Sequence, residues 1–445
     1  MGLDPQRLLA TLKRFPHPSR YWVAYSGGLD SSVLLHAMAS LRDRLGAPLA
    51  ALSLDHGLHA DSEMWLEHCQ AVCRTLGIPL TRHCLALRPT VGVSLEAQAR
   101  EARLGAYRGT IAAGELLLTA HHQDDQAETL LLQLLRGGGL RGLAAMPELA
   151  PLPPAWLGRP LLGWTRSDLL AYAESHQVSW VDDPSNADAS FDRNYLRHRV
   201  LPLLSARWPG CAATLSRSAR NCAEAQTLID RLVAEEIKRV RGTRPGTLST
   251  TALGGLDPPL QRALLRHWIG EQGYSIPDRR HLQRVLGEVL SAAPDRMPLV
   301  AWKGAEVRRF RDELFVLEPL PPPPGKLALS WNTAGPLRLP AGLGELTCLM
   351  PGDDSGRTLR VRFHVSGLRC RVRSRASSQR LSRLFQAHGV PPWLRAYVPL
   401  VFDEERLVAV AGLWRCFEAG GPPMMDAQFR WSGHPWPHIL GHAGG

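Results

Sequence analysis

The sequence has no Cys-x-x-Cys pair, no apolar run that would cross a bilayer, and no lysine after its glycine-rich loop. Each absence excludes something. Eight cysteines, at positions 69, 73, 84, 211, 222, 348, 370 and 416, are scattered through 445 residues. That is not the framework of a disulfide-stapled fold, so reduced thiols in a cytoplasmic protein are expected. Cys69 and Cys73 fall on the apolar period of a helix with Trp65, Leu66, Val72 and Leu76, which reads as core. A membrane span needs about 18 or more apolar residues, and none is present, so no membrane partner is expected. The first residues carry Asp4, Arg7, Lys13 and Arg14 where a signal peptide would have an apolar core. No internal repeat is visible.

Acidic residues are missing from one long stretch. Between Arg357 and Arg395 there are ten arginines and no Asp or Glu. Nearly all of the net charge of +11 therefore sits in 39 residues. Phe363, Phe385 and Trp393 interleave with the arginines. Guanidinium forks suit phosphate and aromatic faces suit bases, so contact with nucleic acid is expected.

At roughly 100–200 residues per domain, the length allows about two to four domains. Apolar runs at 20–25, 47–55 and 115–122 read as strands, and 30–45, 62–77 and 94–114 read as helices between them. This alternation predicts an α/β fold with a doubly wound parallel sheet. The proline-rich stretch 147–160 reads as a loop inside that domain, and 191–210 closes it. A long amphipathic helix is expected over 215–240, with mostly helical chain up to 317. "EPLPPPPGK" (318–326) reads as an extended linker. The expected organisation is a catalytic domain at 1–212, a helical domain at 213–317, the linker at 318–326, and a small, basic α+β domain at 327–445.

The chemistry starts at "SGGLDSS", Ser26, Gly27, Gly28, Leu29, Asp30, Ser31 and Ser32, between the first strand and the first long helix. Glycines let backbone approach a phosphate, and the first N–H groups of the helix point at it. The common loop for γ-phosphoryl transfer ends in a lysine, and this one does not. A loop that cradles pyrophosphate suits attack at the α-phosphate, with AMP transferred. Asp30 is a candidate ligand for Mg²⁺. Asp55 and His56 follow the second strand, at the sheet edge where ligands bind. "HHQDDQAET" (121–129) places His122, Asp125 and Glu128 after a later strand, with the two acids on one helical face. Adjacent histidines do not share a helix face, so a transition-metal site is not expected. Arg193 and Arg197 lie four apart, after "DDPSNADAS".

The loop resembles that of the N-type ATP pyrophosphatases, also called PP-loop enzymes. Further stretches resemble the tRNA(Ile)-lysidine synthase family: "DHGL" (55–58), "HHQDDQAET", "RGGGLRGLAAM" (136–146), "RPLL" (159–162), "DDPSNADASFDRNYLR" (182–197) and "LFQAHGVPPWLR" (384–395). One departure is visible: "RVRSRASSQRLSRLFQ" (371–386) has no glycine where the family carries a Gly-Gly turn. The resemblance implies ATP and Mg²⁺ as cofactors, and free L-lysine and an isoleucine tRNA with a CAU anticodon as partners. It implies ATP binding by residues 26–32, Asp55 and His56, metal binding by Asp30, and lysine binding by Asp125 and Glu128. His122 is the expected base. Arg100, Arg103, Arg193, Arg197, Arg371, Arg373, Arg375 and Arg395 are the expected phosphate or RNA contacts. Another PP-loop tRNA-modifying enzyme, such as a thiolase, is the alternative. The sequence leaves open whether the chain is a homodimer.

Overall fold

The computed structural model describes residues 2–55, 62–85, 95–182, 188, 190–293, 296–340, 342–349, 356–372, 377–417 and 427–440. The chain divides into two compact units, 1–229 and 230–445.

Unit 1 begins with α1 (Pro5–Leu12), capped by the Asp4 carboxylate on the Gln6 N–H at 2.9 Å. The order is then β1 (Tyr21–Ala24), α2 (Leu29–Ser40), β2 (Leu49–Asp55), α3 (Ser62–Leu76), β3 (Leu80–Cys84), α4 (Leu95–Thr110) and β4 (Leu116–Leu118). There follow α5 (Gln123–Leu135), α6 (Leu140–Leu143), β5 (Leu149–Leu152), β6 (Ala155–Gly158), α7 (Arg166–Ser175), α8 (Asp192–Tyr195) and α9 (Leu201–Arg207), and the chain passes from unit 1 to unit 2 within α10 (Cys211–Arg239). Six strands form one sheet in the order β3-β2-β1-β4-β6-β5, parallel except for the β5/β6 pair. The order reverses direction at β1, and open sheets of this kind bind ligands at the strand ends beside such a reversal.

β1 and β4 are buried on both faces, which is why they read as unbroken apolar runs. α2 lies across the sheet with Val33, Leu34, Leu35, Ala37 and Met38 fully buried. Cys69 and Cys73 are core residues, as their spacing predicts. The expected loop at 147–160 is instead the β5/β6 hairpin. Proline is tolerated on an edge strand and at a turn, and here Pro151 is on the edge strand while Pro153 and Pro154 make the turn.

Unit 2 holds helices α11 (Thr250–Gly254), α12 (Pro258–Glu271) and α13 (Arg279–Arg284), but 299–317, expected to be mostly helical, is strand. It also holds an antiparallel sheet in the order β7-β10-β9-β8, built from β7 (Leu248–Ser249), β8 (Leu299–Trp302), β9 (Ala305–Phe310) and β10 (Glu313–Leu317). The remaining strands are β11 (Ala328–Asn332), β12 (Leu337–Arg338), β13 (Glu345–Leu349), β14 (Thr358–Arg362), β15 (Arg369–Cys370), β16 (Gln379–Arg380), β17 (Leu400–Asp403), β18 (Arg406–Val410), β19 (Trp414–Arg415) and β20 (Gln428–Ser432). They form sheets β11-β14-β17-β18-β19, β12-β13-β20 and β15-β16, with α14 (Leu381–Ala387) after β16.

The aromatics of the arginine run are not stacking platforms. Phe363 and Phe385 are buried, and the Trp393 ring sits edge-on to Phe310 and Phe315 at 6.1 and 5.7 Å. The stretch "QAHGVPPW" is a docking corner: Arg244 donates to the Gly389 carbonyl at 2.7 Å, and Arg311 donates to that of Gln386. Apolar side chains with this much packing area serve the core before they serve a ligand.

Candidate active site

The phosphate-type loop is closed by its own hydroxyls. The Ser31 hydroxyl lies 3.0 Å from the Gly28 carbonyl and 3.1 Å from the Ser26 hydroxyl, and it accepts the Ser26 N–H at 3.2 Å. The Ser32 hydroxyl donates to the Gly27 carbonyl at 3.2 Å, and the same carbonyl accepts the Val181 N–H at 2.9 Å. Gly27 has φ +81°, and a Cβ there would lie 2.9 Å from the Cys69 sulfur. Both the dihedral and the space therefore demand glycine. The Leu29 side chain is in the core, so only its backbone is offered to a ligand. Asp55 stands at the carboxyl end of β2, while His56 lies outside the described residues.

"HHQDDQAET" opens α5, and each polar group has a local reason. The Asp125 carboxylate accepts the His122 N–H at 3.0 Å. Asp124 accepts the Arg166 N–H at 2.8 Å, and the Gln126 side chain bonds both backbone groups of Met146 at 2.8 Å. His121 Nδ1 lies 2.9 Å from the Thr119 hydroxyl.

Around this frame the charges interlock. His122 is fully buried, with Nε2 3.5 Å from Asp30 and 3.4 Å from Asp125, and Nδ1 3.4 Å from Asp124. Burial alone would lower its pKa, but the three carboxylates, Asp125 foremost, raise it to about 10. The imidazole is thus an imidazolium at neutral pH. A group that already holds its proton is not ready to accept another, which runs against the expectation of His122 as base. His121 goes the other way. Burial first, with help from Arg159 and Arg193 against the pull of Asp125, lowers its pKa to about 4 and keeps it neutral.

Asp125 and Glu128 are brought together, as expected, but neither stands open. Arg193 donates to Glu128 at 2.7 Å and to Asp125 at 2.9 Å. Arg197 donates to Glu128 at 2.6 and 3.0 Å and to Asp125 at 2.9 Å. Burial would raise the Asp125 pKa, but His122 and then the arginines hold it well below the usual range. The expected phosphate-binding arginines are therefore partners of the expected lysine-binding acids.

Two residues of the quoted motifs join the site without having been given a role there. One is His121. The other is Arg159, next to β6, whose Nη1 donates to the Pro147 carbonyl at 2.8 Å while its buried Nε has no hydrogen-bond partner. Burial and the nearby Arg100 charge lower the Arg159 pKa to about 10. Arg100 and Arg103 lie exposed on α4.

In unit 2, Arg371 is half-buried with an unpartnered Nε, while Arg395 donates Nε to the Val390 carbonyl at 3.1 Å and braces its own turn. Arg373 and Arg375 lie outside the described residues.

Among the described residues no cluster of three or more His, Cys, Asp or Glu side chains is arranged to hold a metal by itself. One protein atom does fit a cation. Asp30 Oδ1 is buried and lacks a hydrogen-bond partner beside the loop. A Mg²⁺ ion commonly takes one or two carboxylates and fills its shell with phosphate oxygens and water. Among the described residues no helix is long and apolar enough to cross a membrane.

A parallel sheet that reverses at β1, a lysine-free Ser-Gly-Gly loop there and an acidic cluster at the next strand define a PP-loop enzyme, which uses ATP. A family model described as a PP-loop domain matches residues 4–204, and models described as the TilS substrate binding domain and TilS substrate C-terminal domain match 248–315 and 359–431. The chain belongs to the tRNA(Ile)-lysidine synthase family. It is 42% identical to the tRNA(Ile)-lysidine synthase of Methylococcus capsulatus over 94% of this chain and 97% of that one. The Coxiella burnetii relative of the same name is 39% identical over 94% of each chain. That of Alkalilimnicola ehrlichii is 40% identical over 92% of this chain and 93% of its own. A U34-tRNA thiolase from Methanococcus maripaludis aligns at a TM-score of 0.42 and 16% identity, over 49% of this chain and 78% of that one.

Proposed function

We propose that the chain makes lysidine at the first anticodon position of an isoleucine tRNA with a CAU anticodon, at the carboxyl edge of the unit 1 sheet. The cytosine C2 oxygen is a poor leaving group. Transfer of AMP from ATP to that oxygen activates it and releases pyrophosphate. The ε-amine of free lysine then attacks C2, and AMP departs. The chain is in this sense an ATP-dependent ligase that forms a carbon–nitrogen bond.

The observation that carries this reading is His122. One buried side chain touches Asp30 of the phosphate loop and Asp125 of the acidic pair. A nucleotide bound on the loop and an amine bound at the acids would therefore be neighbours. Backbone N–H groups and hydroxyls of residues 26–32 would hold the pyrophosphate portion of ATP, with Asp55 and His56 near the nucleoside. Mg²⁺, when bound through Asp30, offsets phosphate charge. Asp125 and Glu128 would bind the lysine ammonium once Arg193 and Arg197 turn to phosphate. Free lysine has a side-chain pKa near 10.4, so a base is needed. His121 is neutral, but a pKa lowered to about 4 makes it a weak proton acceptor, and the charged His122 serves to position Asp30 and Asp125, so neither histidine fits that task by itself. Arg100, Arg103 and Arg159 would meet RNA or nucleotide phosphate, and Arg371, Arg373 and Arg375 the tRNA body.

Sulfur transfer fits less well. Burial pushes the Cys69 thiol up to about 12 and Cys73 to about 11, which leaves them as inert core residues. The deciding experiment is incorporation of radiolabelled lysine into isoleucine tRNA bearing CAU. Omission of ATP, and the CAU methionine tRNA, are the controls. ATP-dependent label in the isoleucine tRNA alone is expected. Tight ATP binding without label would remove this reading and leave only the PP-loop class.

A further inference from the structure

The scattered cysteines hide one pair. Cys370 and Cys416 are joined through their sulfurs, with Cα atoms 5.4 Å apart and a sequence separation of 46. The six other cysteines are free. This departs from the expectation of reduced thiols throughout.

The position of the pair matters more than its existence. Cys370 ends β15, which has two residue pairs with β16. A ladder that short is marginal on its own. Among the described residues, Leu381 is in the core, Leu368 and Val372 pack against it, and three further hydrogen bonds tie this hairpin. Leu381 N–H donates to the Leu368 carbonyl at 2.9 Å, Arg369 donates to the Ser378 carbonyl at 2.6 Å, and Phe417 N–H donates to the Arg371 carbonyl at 2.7 Å. Cys416 follows β19, and its N–H donates to the Val408 carbonyl of β18 at 2.9 Å. The sulfur bridge therefore fastens the base of an arginine-bearing hairpin to the five-stranded sheet. A cavity of about 150 Å³ opens beside it, lined by both cysteines, Arg369, Arg371, Ser378 and Phe417. Cys370 is buried, whereas Cys416 is half-buried.

We propose that Cys370 and Cys416 are a reversible oxidation site, closed by exchange with a small disulfide such as oxidised glutathione, and that closure strengthens RNA binding by the adjoining arginines. The more accessible Cys416 thiolate attacks the reagent and expels one thiolate, which leaves a mixed disulfide. The Cys370 thiolate then attacks the Cys416 sulfur and expels the second. The protein loses two protons and two electrons, and the reagent becomes two thiols. Neighbouring guanidinium groups favour the thiolate that must attack. Closure holds Arg369 and Arg371 in one arrangement, so less ordering remains to be done when RNA docks. The RNA half of the inference rests on the proposed tRNA contact of this surface.

The test uses the full-length chain equilibrated across ratios of reduced to oxidised glutathione. Free thiols are trapped by alkylation and the peptides are mapped by mass. In parallel, tRNA affinity is measured by fluorescence anisotropy for wild type, Cys416→Ser and Arg371→Ala. A Cys370–Cys416 cross-linked peptide that appears on oxidation and vanishes on reduction is expected. Reduced wild type and Cys416→Ser should bind tRNA about three- to tenfold more weakly than oxidised wild type. Cys416→Ser should ignore the glutathione ratio. Full alkylation of both cysteines at every ratio overturns the pairing. Equal affinity of oxidised and reduced wild type, with Arg371→Ala still weakened, overturns the effect on RNA but leaves the tRNA surface standing. An affinity unchanged in Arg371→Ala as well removes the tRNA reading of this surface, whatever the state of the thiols.

Discussion

Arg197 grips Glu128 with one edge of its guanidinium: Nε meets one carboxylate oxygen at 2.6 Å and Nη2 meets the other at 3.0 Å. Glu128 is fully buried, so this fork neutralises a charge that has little water to turn to. Removal of one partner from a buried pair costs roughly 3–5 kcal/mol. Arg193 keeps one bond to Glu128, so Arg197→Ala should lose about 3 kcal/mol, read from urea unfolding. Arg197→Lys should recover only part of that, because an ammonium cannot reproduce the fork. A loss below about 1 kcal/mol would place the pair among solvated surface ion pairs.

Gly27→Ala should damage nucleotide binding more than stability. Its positive φ costs about 1 kcal/mol for a residue with a Cβ, and that Cβ also meets the Cys69 sulfur. ATP affinity, followed by nucleotide fluorescence, should fall about tenfold or more. The double variant with Cys69→Ala should recover some of it by removing the clash while the dihedral strain remains. Wild-type affinity in Gly27→Ala would mean the loop does not carry the nucleotide.

Asp30→Ala should remove AMP transfer and leave tRNA binding nearly intact. Loss of a group that acts on developing phosphate charge costs on the order of a hundredfold or more. Pyrophosphate release and tRNA gel shift, measured side by side, separate the two effects. Normal pyrophosphate release would sink the assignment of Asp30.

His122 predicts a slope of stability against pH. Its folded pKa, about 10, stands above the ordinary value of 6.5. The stabilisation is therefore fully present below about pH 6.5 and is lost as pH rises towards 10. Urea midpoints of wild type should fall between pH 7 and pH 9.5, and His122→Gln should show a flatter profile. Parallel profiles would mean the imidazole is neutral in the folded protein.

Arg371 and Arg395 should part company. Arg371→Ala should weaken tRNA binding and reduce the slope of log affinity against log salt by about one. Arg395 braces the Val390 turn, so Arg395→Ala should lower the unfolding temperature and leave that slope unchanged. A flatter salt slope in Arg395→Ala would return it to the RNA surface.

The loop, the parallel sheet and the acidic motif were legible because their signals are local. Glycines, hydroxyls and an apolar run within a few residues fix a strand, a turn and a helix start. The β5/β6 hairpin was not legible, because proline marks turns far more often than edge strands. The arginine–acid cluster was hidden for another reason: its partners are 65 to 72 residues apart, and their spacing along one helix face says nothing about what faces it. The same limit applied to Phe363, Phe385 and Trp393, whose core neighbours lie on other strands and helices. A run of arginine with aromatics looks alike whether the rings point out or in.

The two guanidinium groups on Asp125 and Glu128 also set a threshold. A competitor attached to the same chain never diffuses away, and short tethers act at effective concentrations on the order of millimolar. A free amine that reaches these carboxylates before any phosphate is in place therefore meets a rival that dilution cannot remove. If Asp125 and Glu128 take the substrate ammonium as proposed, stray diamines at trace levels would lose that contest, and the resting enzyme would stay silent towards them.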